Sequence, residues 1–205
     1  MSLKALLTAA AIAATVSAAP AVAGVLYSNG PINGTINAWN ISYFVTEDSF
    51  TVPYSATATS VDLGVWTSPG EQVTTIAWGI NTDPSAFSTP NSAAVTTLST
   101  CSGCGYDGEY DVSWDSFSLG SVSLNPGATY WLALTGAGPT SYEVFWDEND
   151  GSSVAYINAL DYAIGSHAFE VNGVPETSTW AMMGLGFVAL AFAGSRARRP
   201  ANSIA

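Results

Sequence analysis

From Gly24 onward, apolar and polar positions alternate in short runs. Val61, Leu63 and Val65 fall on one side of such a run, as do Ile76, Trp78 and Ile80, and again Tyr130, Leu132 and Leu134. A period of two is the spacing of a strand with one buried face. Turn chemistry separates the runs: Ser68-Pro69-Gly70, Asp83-Pro84, Asn125-Pro126-Gly127, Gly138-Pro139 and Asp150-Gly151. Strands are predicted over Thr35–Val45, Ser49–Val52, Thr59–Thr67, Val73–Ile80, Ala93–Ser99, Tyr110–Leu119, Ser121–Leu124, Ala128–Leu134, Tyr142–Trp146, Val154–Ile157 and His167–Val171. None of this stretch shows helical periodicity. Strands that are apolar on one face need a second layer to cover that face. The expected fold is therefore all-β, an antiparallel β-sandwich of jelly-roll type. About 150 residues can bury roughly 70% of the surface their unfolded chain exposes, enough for one real core.

Two segments break the strand pattern. Residues 1–23, MSLKALLTAAAIAATVSAAPAVA, set Lys4 before a short apolar run, Ala5–Val16, and a small-x-small site at Ala21-Val22-Ala23. That is the layout of a secretory signal peptide cleaved before Gly24, with Ala18 or Ala19 as alternative ends. The second is VPETSTWAMMGLGFVALAFAGSRARRP, Val174–Pro200. Its apolar stretch, Trp180–Gly194, would span about 22 Å as a helix against a hydrocarbon core of roughly 30 Å, a marginal crossing. Arg196, Arg198 and Arg199 follow at once, which predicts one C-terminal transmembrane helix with its basic end cytoplasmic and the β domain on the far side.

The order Val174-Pro175-Glu176-Thr177-Ser178-Thr179-Trp180-Ala181-Met182-Met183, then Gly-rich apolar residues, then the three arginines, closely resembles the PEP-CTERM sorting signal of Gram-negative bacteria. In that family a Pro-Glu-Pro motif precedes a short transmembrane helix and a basic cluster. The resemblance implies recognition by exosortase, a membrane-embedded cysteine transpeptidase, with cleavage near the motif and delivery of the domain to the cell surface or extracellular matrix. Proteins of this kind are associated with exopolysaccharide and biofilm. The second proline is here Thr177, which leaves the peptide looser than a proline would and bears on how efficiently it is processed. A plain single-pass anchor is the alternative. The body is also similar, in SVDLGVW (Ser60–Trp66), LNPGATYWLAL (Leu124–Leu134) and VFWDENDG (Val144–Gly151), to a sandwich domain often found ahead of this signal. The expected organisation is a signal peptide over 1–23, a β-sandwich over 24–173 and a sorting signal over 174–199.

Charge narrows the partners. Only four of the 205 residues are Lys or Arg, and all lie in the two terminal segments, whereas all of the 16 carboxylates except Glu176 fall between Gly24 and Gly173. A domain with no cation to hold phosphate is not expected to bind nucleic acid. Its field attracts divalent or basic partners instead. Two acidic clusters, Asp107, Glu109 and Asp111, and then Asp147, Asn149 and Asp150, supply oxygen ligands of the kind calcium takes. The second fails the EF-hand pattern because Gly151 comes one place early. Solvated acidic turns are the alternative, and calcium is the only cofactor left open.

Three further features carry candidate chemistry. Cys101-Ser102-Gly103-Cys104 has no following helix to lower a thiol pKa, so a small disulfide pinning a hairpin loop is expected rather than a redox site. Six of the seven tryptophans lie in the domain. Trp66, expected to point away from the Val61/Leu63/Val65 face, Trp114 among its aspartates, and Trp146 are candidate stacking platforms for a sugar. Ser166 and His167 are adjacent in a predicted strand start and so point oppositely, which does not make a nucleophile and base. The chain is read as non-enzymatic: a structural or adhesive exported protein, with a carbohydrate-binding module, calcium-assisted or not, as the alternative.

Overall fold

Residues 23–84, 90–138, 142–158, 162–176 and 186–190 are described by the computed structural model. Twelve antiparallel strands, all within the compact unit Ala23–Pro175, follow the chain as β1 (Gly24–Ser28), β2 (Asn37–Asn40), β3 (Thr46–Thr51), β4 (Ala56–Thr67), β5 (Thr75–Asn81), β6 (Asn91–Gly105), β7 (Tyr110–Leu124), β8 (Thr129–Gly138), β9 (Phe145–Glu148), β10 (Ala155–Ile157), β11 (Tyr162–Ile164) and β12 (Phe169–Pro175). The all-β, antiparallel expectation holds. The layers are halves of one curled sheet, ordered β1-β12-β4-β7-β6-β5-β8-β3-β10-β11, with the β2–β9 ribbon joined to β4. The long strand β6 makes the corner. Its first residues, Asn91–Ala94, pair with β5, and from Val95 onward it pairs with β7.

Alternation and bulges explain which side chains fill the space inside the curl. Val61, Leu63 and Val65 of β4 are buried as predicted, and so are Ile76, Trp78, Tyr130, Leu132 and Leu134. A register shift between Ala58 and Ser60 resets the phase of β4. Ala56 and Ala58 therefore share the inner face with Val61, although an odd number of residues separates them. On the partner strand Gly120 adopts φ +72 at the same irregularity. The two strands predicted on either side of it are for this reason one strand, β7. Phe50, Phe117, Phe169, Leu132, Leu134 and Val171 come from both halves and meet in the core.

Other boundaries differ from the sequence reading. The strand predicted over Thr35–Val45 shrinks to β2, because Asn40 Oδ1 accepts the amides of Ser42 (2.9 Å) and Tyr43 (3.0 Å) and turns the chain. β1 and β11 were not predicted. Among the described residues β1 pairs only with β12, and β11 only with β10. All of the predicted signal peptide but Ala23, the sorting residues Thr177, Ser178, Thr179 and Trp180, and Arg196, Arg198 and Arg199 lie outside the described residues. Of the predicted transmembrane stretch, residues 186–190 are described and helical. Among the described residues no helix is long and apolar enough to cross a membrane.

Candidate functional site

The outer side of the β4–β9 junction carries a loop, and Asp147 is what fastens it. From β9, Asp147 Oδ2 accepts the amide of Asn33 (2.7 Å), while Oδ1 accepts the amide of Gly34 (2.8 Å) and the indole N–H of Trp66 (2.5 Å). The carboxyl is fully buried. Burial raises its pKa, and the three donated hydrogen bonds and His167 work against that rise. Asp147 thus ties the Trp66 indole to the loop of Asn33 and Gly34, and Trp66 is 4% exposed. Trp66 does point away from the Val61/Leu63/Val65 face, but it is covered there and offers no open stacking platform.

Next to Asp147 the chain alternates inward. Trp146 is completely buried, lies over the His167 ring with centroids 4.4 Å apart, and donates its indole N–H to the Ala168 carbonyl (3.1 Å). It is core, and cannot stack on a ligand. His167 is equally buried. Asp48 Oδ2 accepts its main-chain amide (2.7 Å) and faces its Nδ1 at 3.1 Å. Ser166 donates its hydroxyl to Asn149 instead (3.0 Å to Oδ1), so Ser166 and His167 form no catalytic pair. Asn149 is a joint between loops: its Nδ2 donates to the carbonyls of Asn29 and Pro31, and its Oδ1 accepts the Gly151 amide.

The acidic clusters do not converge. Asp107, Glu109 and Asp150 are exposed, whereas Asp111 is buried. Asp111 accepts the amides of Gly70 (2.8 Å) and Gly103 (2.9 Å) and the Ser102 hydroxyl (2.7 Å). Those bonds, the Gly70 amide foremost, hold its carboxyl below the usual range. Asp111 and Asp147 thus spend their oxygens on the protein's own donors. Among the described residues no three His, Cys, Asp or Glu side chains come together as a metal site. The Cys101–Cys104 disulfide is present, with Cα atoms 5.6 Å apart, and closes the end of β6 in the hairpin that Asp111 ties down. Trp114, on the opposite face of β7 from Phe117, is half-buried. It lines an open groove of about 500 Å³ with Ile32, Ser99 and Glu170.

The sequence reading did not find an aromatic cleft at the tip of the β6–β7 hairpin. Trp66 forms part of its lining, Tyr110 stands 5.8 Å from Trp66, and Phe145 meets Tyr110 edge-on at 5.7 Å. Tyr106, 57% exposed, and the exposed Asn37 complete a cleft of about 200 Å³. Tyr106 and Asp107 both hold positive φ, +36 and +57, uncommon for residues other than glycine. The hydrogen bond from the Tyr106 amide to the Gly34 carbonyl (3.2 Å) links this tip to the Asp147-fastened loop. Tyr106 and Tyr110 share one hairpin tip, but Phe145 and Trp66 come from distant strands, which is why no motif marks the cleft. No family model matches the sequence, and none of the curated proteins compared with it matches either.

Proposed function

We propose that the chain is an exported protein of the bacterial surface or extracellular matrix, with a structural or adhesive role, sorted and processed by exosortase. The observation that carries this reading is the run Val174–Met183 followed by an apolar stretch and Arg196, Arg198 and Arg199. In it, residues 1–23 direct export. Trp180–Gly194 then holds the domain briefly at the inner membrane, the domain being periplasmic, and exosortase acts near Pro175–Thr177. Two features of the β unit are consistent with this. β1 begins at Gly24, the residue after the expected signal-peptide cleavage. β12 ends at Pro175, where a residue without an N–H closes a strand without loss. The unit between those points carries neither Lys nor Arg. The two inner faces that share one core also support reading the curled sheet as a jelly-roll-like sandwich. The mass of the mature C-terminus with and without exosortase tests the sorting reading.

Carbohydrate binding is the second reading, and the half-open Trp114 beside Ser99 and Glu170 favours it. An aromatic face stacks on a pyranose while a carboxylate and a hydroxyl hold sugar hydroxyls. A glycan panel that includes the producer's own exopolysaccharide is expected to show binding that Trp114→Ala removes. A chelator arm reports whether calcium assists. An empty panel sinks this second reading and leaves the first intact.

A further inference from the structure

We propose that the cleft at the β6–β7 hairpin tip is a binding site for a small organic ammonium ion, held by cation–π contact with Tyr106, Tyr110 and Phe145. Several rings in different planes, Tyr110 tilted 40° to Trp66 and 73° to Phe145, line one cleft of about 200 Å³. Aromatic rings carry a negative quadrupole on their faces, and ammonium groups are the ligands that such faces attract. Trp66, 4% exposed, backs Tyr110 at the floor of the cleft, with its N–H donated to Asp147.

Charge selects the same ligand class. Exposed Asp107 and Glu109 sit beside Tyr106 and Tyr110 in the chain. No Lys or Arg anywhere between Gly24 and Gly173 can fill the cleft from within or offset the field around it. A sugar is the poorer fit. It needs several directional partners, and Asn37 is the lining residue with a side-chain amide. A phosphate-bearing headgroup would be repelled, so the ligand is a free ammonium ion and not a phosphocholine.

The tip is also set in place before anything binds. Tyr106 and Asp107 hold left-handed backbone conformations. The Gly34 carbonyl on the Tyr106 amide, the Tyr106 carbonyl on the Glu109 amide, the neighbouring disulfide and the Asp111 hydrogen bonds keep them there. Residues in sparsely populated conformations persist where the surroundings over-determine them, and they cluster at ligand clamps. A fixed ring lowers the ordering cost of binding.

The test is titration of the full chain, by tryptophan fluorescence and calorimetry, with tetramethylammonium, choline, phosphocholine and 3,3-dimethyl-1-butanol, the neutral isostere of choline. Saturable binding of the first two is expected at roughly millimolar dissociation constants. The neutral isostere and phosphocholine should bind at least about tenfold more weakly, and added salt should weaken choline binding. Tyr106→Ala is expected to lose about tenfold while Tyr106→Phe keeps full affinity, because the ring face and not the hydroxyl binds. Equal binding of the isostere would make the cleft a plain apolar crevice and overturn the proposal. So would phosphocholine binding as well as choline, a monosaccharide competing at the same rings, no saturable binding, or a Tyr106→Phe variant as weak as Tyr106→Ala.

Discussion

Glu47 is the residue whose environment departs most from its chemistry. It sits mid-strand in β3, paired with Ala133 on one side and Tyr156 on the other, fully buried. Neither carboxyl oxygen has a hydrogen-bond partner among the described residues. Burial, and then the charge of Asp83, raise its pKa from 4.5 to about 7. An acid that ionises late in the folded state binds more protons folded than unfolded between those two values. Its contribution to stability is therefore fully present below about pH 4.5, falls as pH rises to about 7, and is gone above that. Glu47→Gln removes the titration. Denaturant titrations should show the variant gaining on the natural protein as pH rises from 4 to 8, by on the order of 3 kcal/mol across the interval. A difference that stays constant over this range would mean that Glu47 is ionised normally in the fold. Asp115, buried on the inner face of β7 and also raised by burial, gives a slope of the same sign and remains in both proteins.

At the scale of elements, the close pairing of β12 with β4 rests on one glycine. Gly173 lies at a register shift in β12. A Cβ there would overlap the Thr57 carbonyl oxygen and sit 2.8 Å from Ala58 Cα, both backbone atoms that cannot turn aside. Gly24, its partner across the pair, has open space around it. Gly173→Ala is expected to cost about 1–3 kcal/mol and Gly24→Ala less than about 0.5 kcal/mol, read from thermal or denaturant midpoints. Equal effects would contradict the close packing of β12 on β4. The inner faces of β4, β5 and β8 could be read in advance because burial on one face writes itself as alternation: Val61, Leu63 and Val65 needed no knowledge of partners. Trp66 shows where that reading stops. Alternation gave its direction, but its burial comes with partners that alternation does not show, Tyr110 against its ring and Asp147, 81 residues on, at its indole N–H. The same holds for Asp111 and Asp147. As letters they were candidate metal ligands, and only the fold shows that backbone amides already occupy their oxygens. β11 carries no alternation, since Tyr162 and Ala163 are both exposed, and so left no mark. The disulfide was legible because two cysteines three apart, with no other cysteine in the chain, have only each other.

For the whole molecule, sequence and fold divide the questions between them. The β unit Ala23–Pro175 begins and ends within a residue of the two points at which the proposed export and sorting steps would cut. What would remain after both proposed cuts is an acidic domain whose core, hairpin tip and loop anchors contain neither Lys nor Arg. Stability there comes from apolar burial and from carboxylates that accept main-chain amides, not from ion pairs between Lys or Arg and acids. The central claim is the removal of the tail, and intact mass spectrometry of the mature protein, from the producing bacterium with and without its exosortase, tests it most directly. With the enzyme, the account predicts a chain starting at Gly24 and ending near Pro175–Thr177, with or without added glycan mass. Without the enzyme, it predicts a chain that retains Arg196, Arg198 and Arg199. A C-terminus beyond Arg199 in both strains would contradict it.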